Sequence, residues 1–381
     1  LAGAVLLAPA AVAGVCWLLL PAEAFGRLHT APTTRRDLEL AAVRSHLRNH
    51  TLLHIGGLHR SGTTVVWEAL AGHRGVSELD FQPGADTRHA AWIEKVYNEG
   101  IFLQNVYPKF GLDHKRFLVK KWLGQALRPV LGALGLSRNA LPWTDLREGV
   151  GRFALHPGHH LDEESLLIED SRQERLFNQW ALFWDLRRPV LVEKSPSNLV
   201  IAPFLHRLWG LGLPQAENPA KFLFLQRHPI AVALATLRAG GPTVSDLSVE
   251  DLVEHWLAAE ERRESDTYRY FARWSGGLSV VKVLTLEAVL LDPAGALADI
   301  VSWLGLPEDP EAIQDFVAGA QRDPNAKYFR IYCGADLHTP TSVRARKHDE
   351  LAGRFADRVL KVSPYDLRSM PDLCRSLATA P

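Results

Sequence analysis

Eight consecutive residues, Gly57-Leu58-His59-Arg60-Ser61-Gly62-Thr63-Thr64, carry the frame of a phosphate-binding loop. A loop for nucleoside triphosphates reads G-x-x-x-x-G-K-[ST]: backbone N–H groups cradle the phosphates, the Lys reaches the terminal ones and the hydroxyl holds Mg²⁺. Here both glycines and Thr64 are in frame, but Thr63 stands where the Lys belongs. That exchange argues against ATP or GTP hydrolysis and leaves the anion cradle intact. His59, Arg60, Ser61, Gly62, Thr63 and Thr64 are therefore expected around a terminal anion, bound by Arg60 and the hydroxyls without a metal.

Such a loop works only between a strand and a helix. Leu52, Leu53, His54 and Ile55 run apolar into Gly56-Gly57 and predict a buried strand. Val65, Val66, Ala69 and Leu70 predict the apolar stripe of the following helix, whose N-terminus offers unpaired N–H groups. Further short apolar strands are predicted at Pro189–Val192, Lys221–Leu225 and Leu278–Val283, separated by helical stretches. The pattern predicts an α/β protein, a P-loop-like three-layer αβα fold with a central parallel sheet. Lys194 and Arg227 then fall just beyond Pro189–Val192 and Lys221–Leu225, at strand ends where open parallel sheets bind ligands.

With Arg60 before Ser61-Gly62-Thr63-Thr64, the loop resembles that of the sulfotransferases that use 3′-phosphoadenosine 5′-phosphosulfate (PAPS), whose Golgi and tyrosylprotein branches carry Arg there. The resemblance continues through Asn98-Glu99-Gly100, Val192-Glu193-Lys194-Ser195-Pro196-Ser197-Asn198-Leu199 and Phe224-Leu225-Gln226-Arg227-His228-Pro229, and closes with Glu287 and Asp292-Pro293 leading into Trp303-Leu304-Gly305-Leu306. It spans about residues 51 to 310 and implies transfer of a sulfuryl group from PAPS to a hydroxyl or amine, with no metal required.

The resemblance also implies roles. Arg60 and Lys194 oppose charge developing on the leaving phosphate, and Arg227 holds the 3′-phosphate of PAPS. The family usually adds a Ser eight residues beyond that Arg. Here the position is Ala235, with Thr236 the nearest hydroxyl and Arg238 a second cation. The tyrosylprotein branch takes its general base from a Glu after the loop helix. Asp80 aligns within one residue of it, Glu99 competes, and His59 can also reach acceptor oxygens.

Composition narrows the partners. In 381 residues, 47% hydrophobic, 43 Lys plus Arg balance 43 Asp plus Glu, so no global field recruits nucleic acid. Residues 1–24 are uncharged up to Glu23 and are read as a signal peptide, a type II membrane anchor or a buried helix. Residues 25–50 read as a stem or leading helix and residues 51–381 as the catalytic domain. The membrane would be engaged through that first segment, with the domain facing the Golgi lumen, or secreted if cleaved. Asn49-His50-Thr51 is a glycosylation sequon. Cys333 and Cys374 are either a disulfide or two buried thiols.

Other clusters receive structural readings. Ser248 to Asp251 opens a helix through a capping box, with Leu252, Val253, Trp256 and Leu257 inward and Glu260 to Glu264 as its solvated face. Trp180, Phe183 and Trp184 read as core. His156, His159 and His160, ahead of Asp162-Glu163-Glu164, lack the H-E-x-x-H frame of a metal site. The run beyond Pro307 reads as charged and loop-like.

Three functions fit these residues: a PAPS-dependent sulfotransferase acting on a glycan, tyrosine or small-molecule hydroxyl; an atypical P-loop kinase needing Mg²⁺ and ATP; and a PAPS-binding protein without turnover.

Overall fold

The computed structural model describes residues 37–79, 99–108, 150–155, 157–239, 247–273, 277–320, 323–334 and 341–379. The chain divides into two compact units. Of the first, residues 1–37 and 105–153, the described part is Asp37, 105–108 and the start of a 3-10 turn at Val150. The second, residues 38–104 and 154–381, carries the sheet and the helices below. The expected anchor lies outside the described residues.

In chain order the second unit runs α1 (Leu40–Asn49), β1 (Thr51–Gly57), α2 (Thr63–Ala71), β2 (Val76–Ser77), α3 (Asp170–Ala181), β3 (Val190–Lys194), α4 (Ala202–Trp209), β4 (Ala220–Gln226), α5 (Pro229–Ala239), α6 (Val249–Arg269), β5 (Val281–Thr285), α7 (Leu286–Leu291), α8 (Pro293–Trp303), α9 (Pro310–Gly319), α10 (Ala326–Cys333), α11 (Thr341–Val362) and α12 (Met370–Thr379). The five strands form one parallel sheet in the order β2-β3-β1-β4-β5. Helices cover it, so the fold is the expected three-layer αβα. The order reverses at β1, which therefore has a neighbour on each side at its C-terminal end, the position where such sheets leave a ligand crevice.

Alternate residues of β1 face opposite layers. Leu53 and Ile55 pack with Val66 and Leu70 of α2, Val192, Leu223 and the helices after β5. His54, fully buried, stacks on the opposite side against Trp209 and Phe222. The Trp209 indole donates to His54 Nε2 at 2.9 Å, and because an indole can only donate, the imidazole proton sits on Nδ1, facing Glu193 Oε2 at 3.4 Å.

Three sequence expectations need correction. β5 begins at Val281 rather than Leu278 because Gly277–Val280 is a 3-10 turn. The described residues beyond Pro307 hold four α-helices, α9 to α12, not loops. α11 buries Leu351, Phe355, Ala356, Val359 and Val362, a helical spacing hidden by the charges on its outer face. Glu260 and Arg263 are not solvated: at 1% and 4% exposure they bond to each other at 2.8 Å. Arg263 and Gln226 both donate to the Val362 carbonyl at the end of α11, and Gln226 also donates to Glu260. A helix-end carbonyl inside protein needs donors, and this buried pair supplies one.

The expected capping box stands at Ser248, and α1 buries Val43 and Leu47 in the same unit as the sheet. Asn49 is exposed at the end of α1. Cys333 and Cys374 form a disulfide joining α10 to α12 across 41 residues. Closing a loop of that length stabilises a fold by about 2–4 kcal/mol, chiefly by restricting the unfolded chain. Replacing both cysteines by Ser is expected to lower unfolding free energy by that amount in urea titrations, and reductant to reproduce the loss in the native chain but not in the variant.

Candidate active site

The loop turns on two left-handed positions that glycine supplies and one that it does not. Gly57 has φ +147°, and a Cβ there would lie 2.5 Å from the Leu225 carbonyl oxygen. Gly62 has φ +99° and abuts the Leu286 side chain. Arg60 adopts φ +73° without being glycine and is exposed at the apex. Ser61 is buried, and its Oγ has no hydrogen-bond partner among the described residues. Beyond it α2 begins, and the N–H groups of its first turn, from Thr63 to Val65, have no carbonyl of the helix behind them. A buried orphan hydroxyl beside such a turn fits a phosphate or sulfate oxygen.

Sheet register brings the cations to this loop. Ile55 pairs with Lys194, and Gly57 pairs with Leu225, two residues before Arg227. Lys194 is 2% exposed, against the ordinary habit of lysine, and its Nζ lies 3.2 Å from Glu99 Oε1 and 5.7 Å from the Trp67 ring centre. Glu99 reaches it through a clamp built on Glu193, which is fully buried. Glu193 accepts from the Gly100 N–H at 3.0 Å, from Asn198 Nδ2 at 2.6 Å, and from Ser195 Oγ. Ser195 Oγ accepts in turn from the Ile101 N–H at 3.0 Å. Trp180 Nε1 holds the Gly100 carbonyl, and a Cβ on Gly100 would strike Glu193 Cγ at 2.3 Å. The Asn98-Glu99-Gly100 and Glu193-Lys194-Ser195 motifs are thus one structure, with Glu193 as its buried peg.

Electrostatics at this pair run in opposite directions. Burial pushes the Glu99 carboxyl above its ordinary range, and the Lys194 charge and hydrogen bond pull it partly back. Burial, then Lys194 and Arg60, hold the His59 pKa down to about 4. His59 is therefore a neutral hydrogen-bonding group at physiological pH, not a third cation.

Arg227, 6% exposed, is gripped by three neutral acceptors: Nε donates to Asn325 Oδ1 at 2.8 Å, one terminal nitrogen to the Arg60 carbonyl at 2.9 Å, the other to the Pro324 carbonyl at 2.6 Å. Its guanidinium lies 5.1 Å from the Tyr328 ring centre. Arg60, Thr63, Thr64 and Arg227 line a cavity of about 570 Å³ that runs on between α2 and α9. Ala235 lines this cavity too. Thr236 and the exposed Arg238 are not among its walls. Lys327 and Tyr328 of α10 are, and sequence reasoning missed both because that region read as loop. Asp323-Pro324-Asn325, an acidic helix start whose Asp323 Oδ1 accepts from the Asn325 and Ala326 N–H groups, was the available signal. Asp80 and His156 lie outside the described residues. Among those described, no group of three or more His, Cys, Asp or Glu is placed to hold a metal. Trp180 and Trp184 are buried as expected, with Phe183 partly so.

A cationic, lysine-free anion loop at the switch point of a parallel sheet defines a group-transfer site for a phosphorylated or sulfated donor. Residues 53–310 match the model of the sulfotransferase family, and the chain belongs to that family: it is an enzyme that transfers sulfuryl groups. Solved structures resemble it at low identity. Sulfotransferase STF1 of Mycobacterium tuberculosis is 14% identical, with 81% of this chain and 79% of that one covered and a TM-score of 0.41. Sulfotransferase STF9 of Mycobacterium avium is 14% identical over 83% and 80%, with a TM-score of 0.40. The sulfotransferase domain of the Synechococcus PCC 7002 olefin synthase is 19% identical over 87% and 96%, with a TM-score of 0.36. No curated protein matches the sequence.

Proposed function

We propose that this sulfotransferase takes its sulfuryl group from PAPS, delivers it to a hydroxyl of a glycan, tyrosine or small molecule, and needs no metal. The observation that carries the reading is the buried Arg227, bound among the described residues to neutral acceptors alone and opening on the same cavity as Arg60 and the loop. Such an arrangement suits a donor with anionic groups at both the 3′ and 5′ positions, because a guanidinium already neutralised by a carboxylate would have little charge left for a phosphate.

In the reaction the acceptor oxygen bonds to sulfur while the bond from sulfur to the bridging phosphate oxygen breaks. The products are the sulfated acceptor and 3′-phosphoadenosine 5′-phosphate. Arg60 and Lys194 stabilise the charge arriving on that bridging oxygen. Glu99 takes the acceptor's proton. Its burial raises its proton affinity, and the Lys194 charge and hydrogen bond pull that affinity partly back. Asp80 remains its rival for that role.

The chain works in an oxidising, lumenal compartment, which residues 1–24 enter as a type II membrane anchor or as a cleaved signal peptide, with residues 25–50 leading to the catalytic domain. The Cys333–Cys374 disulfide supports the compartment. Among the described residues no helix is long and apolar enough to cross a membrane.

Incubating the purified chain with PAPS and a panel of glycan, peptide and small-molecule acceptors in EDTA tests the reading. Sulfated product and 3′-phosphoadenosine 5′-phosphate are expected in equal amounts by mass spectrometry, with divalent ions adding at most modest stimulation. Phosphorylated product formed only with Mg²⁺ and ATP would make the chain a kinase, and tight PAPS binding with no product across the panel would make it a binding protein.

A further inference from the structure

Arg227 lacks the hydroxyl partner that the sequence pattern leads one to expect eight residues on, since Ala235 presents only a methyl to the cavity. Its side chain is held instead from 98 residues away. Asn325 Oδ1 accepts from Arg227 Nε at 2.8 Å, and Asn325 Nδ2 donates to Glu287 Oε1 at 2.5 Å. An Asn amide can turn over with almost no change of shape, so the atom that faces Arg227 is decided by the other neighbour. Here that neighbour is a carboxylate, which when ionised can only accept. It takes the NH₂ end and leaves the carbonyl end for the guanidinium. Glu287 is itself fixed by the His228 N–H at 3.0 Å and by the Tyr365 hydroxyl at 2.5 Å.

We propose that Asn325, held in one amide orientation by Glu287, positions Arg227 for the 3′-phosphate of the donor. The backbone around Asn325 is hydrogen-bonded on both sides. Asp323 caps its N–H, and its own carbonyl accepts from the Tyr328 and Phe329 N–H groups at 2.8 and 3.0 Å. The result is a relay in which the negative charge stands one residue behind the cation. Arg227 is oriented by an acceptor without being neutralised by one, and two of its five N–H groups have no acceptor among the described residues. Had the carboxylate touched Arg227 directly, the ion pair would compete with the phosphate for the same fork. The same relay ties α10, whose other end carries Cys333, to the loop through the Arg60 carbonyl.

Asn325 and Glu287 are positioning residues, and the inference rests on the reading of Arg227 as the 3′-phosphate ligand. The measurement is the affinity, by calorimetry, for 3′-phosphoadenosine 5′-phosphate and for adenosine 5′-phosphate, which lacks the 3′ group, in the native chain and in Arg227→Ala, Asn325→Ala and Glu287→Met. Glu287→Met keeps the length of the side chain, removes the acceptor that fixes the Asn325 amide, and keeps the test alive if Asn325→Ala does not fold. Both positioning variants are expected to lose about tenfold or more of the native preference for the 3′-phosphorylated ligand, beyond any loss common to the two ligands. If Arg227→Ala removes the preference while Glu287→Met leaves it native, the relay is wrong and the Arg227 reading stands. If Arg227→Ala leaves the preference untouched, both fall. Equal weakening of the two ligands in Asn325→Ala and Glu287→Met would reduce these residues to a structural role and overturn the inference.

Discussion

Replacing Lys194 by methionine is expected to lower turnover about a hundredfold, the scale of losing one donor aimed at developing charge. Methionine keeps the volume of the buried stem, so the loss reads the ammonium and not a cavity. Arg60→Ala should fall by a similar factor, since the proposal assigns both cations to the same developing charge. A second signature separates Lys194 from a residue that merely fills space. Its charge pulls the Glu99 carboxyl down against burial, so removing it lets the Glu99 pKa rise. A base must be deprotonated to act, and the acidic limb of the kcat/KM profile should therefore move to higher pH in Lys194→Met. Near-native turnover in the folded variant would take Lys194 off the site, and a hundredfold fall with an unmoved acidic limb would take Glu99 off as the base.

The sequence disclosed these parts unequally, for a physical reason. The loop is local: two glycines at left-handed positions, a cation and a helix start all lie within eight residues. Lys194 and Arg227 were legible from their place at the ends of apolar strands, because a parallel sheet brings all its C-terminal ends to one edge. What joins Glu99 to Lys194 was not legible. It depends on Glu193, an acid inside a strand, accepting from a Gly100 N–H 93 residues away. Periodicity carries no record of such a contact.

The charge-rich stretch Glu260 to Glu264 misled for the opposite reason. Local composition reads as solvated, whereas Glu260 and Arg263 are buried against the end of a helix that the sequence did not announce. The same blindness beyond Pro307 hid α10, and with it Asn325, Lys327 and Tyr328. The donor end of the site was thus half legible, its cation visible and the cation's keeper not.

Arg227 carries the other large expectation. Charge-assisted hydrogen bonds contribute about 1.5–3 kcal/mol each, so the two N–H groups without an acceptor among the described residues, placed on a phosphate, correspond to a hundredfold or more in affinity. Arg227→Ala should therefore weaken 3′-phosphoadenosine 5′-phosphate by at least about a hundredfold. The geometry adds a component beyond the 3′ group. Arg227 also holds the carbonyl of Arg60, a non-glycine residue in the left-handed region, and without that bond the apex of the loop is free to relax. Adenosine 5′-phosphate should consequently weaken as well, though by only a few-fold. Arg227→Lys sharpens the distinction: it restores the charge but cannot reach the Asn325, Arg60 and Pro324 oxygens with one ammonium while also presenting two donors to a phosphate. It should fall between the native chain and the alanine variant for the 3′-phosphorylated ligand, yet resemble the alanine variant for adenosine 5′-phosphate. Calorimetric titration of both ligands against all three proteins decides it. Identical losses for the two ligands in Arg227→Ala would show that the residue serves the loop alone and that the 3′-phosphate is bound elsewhere.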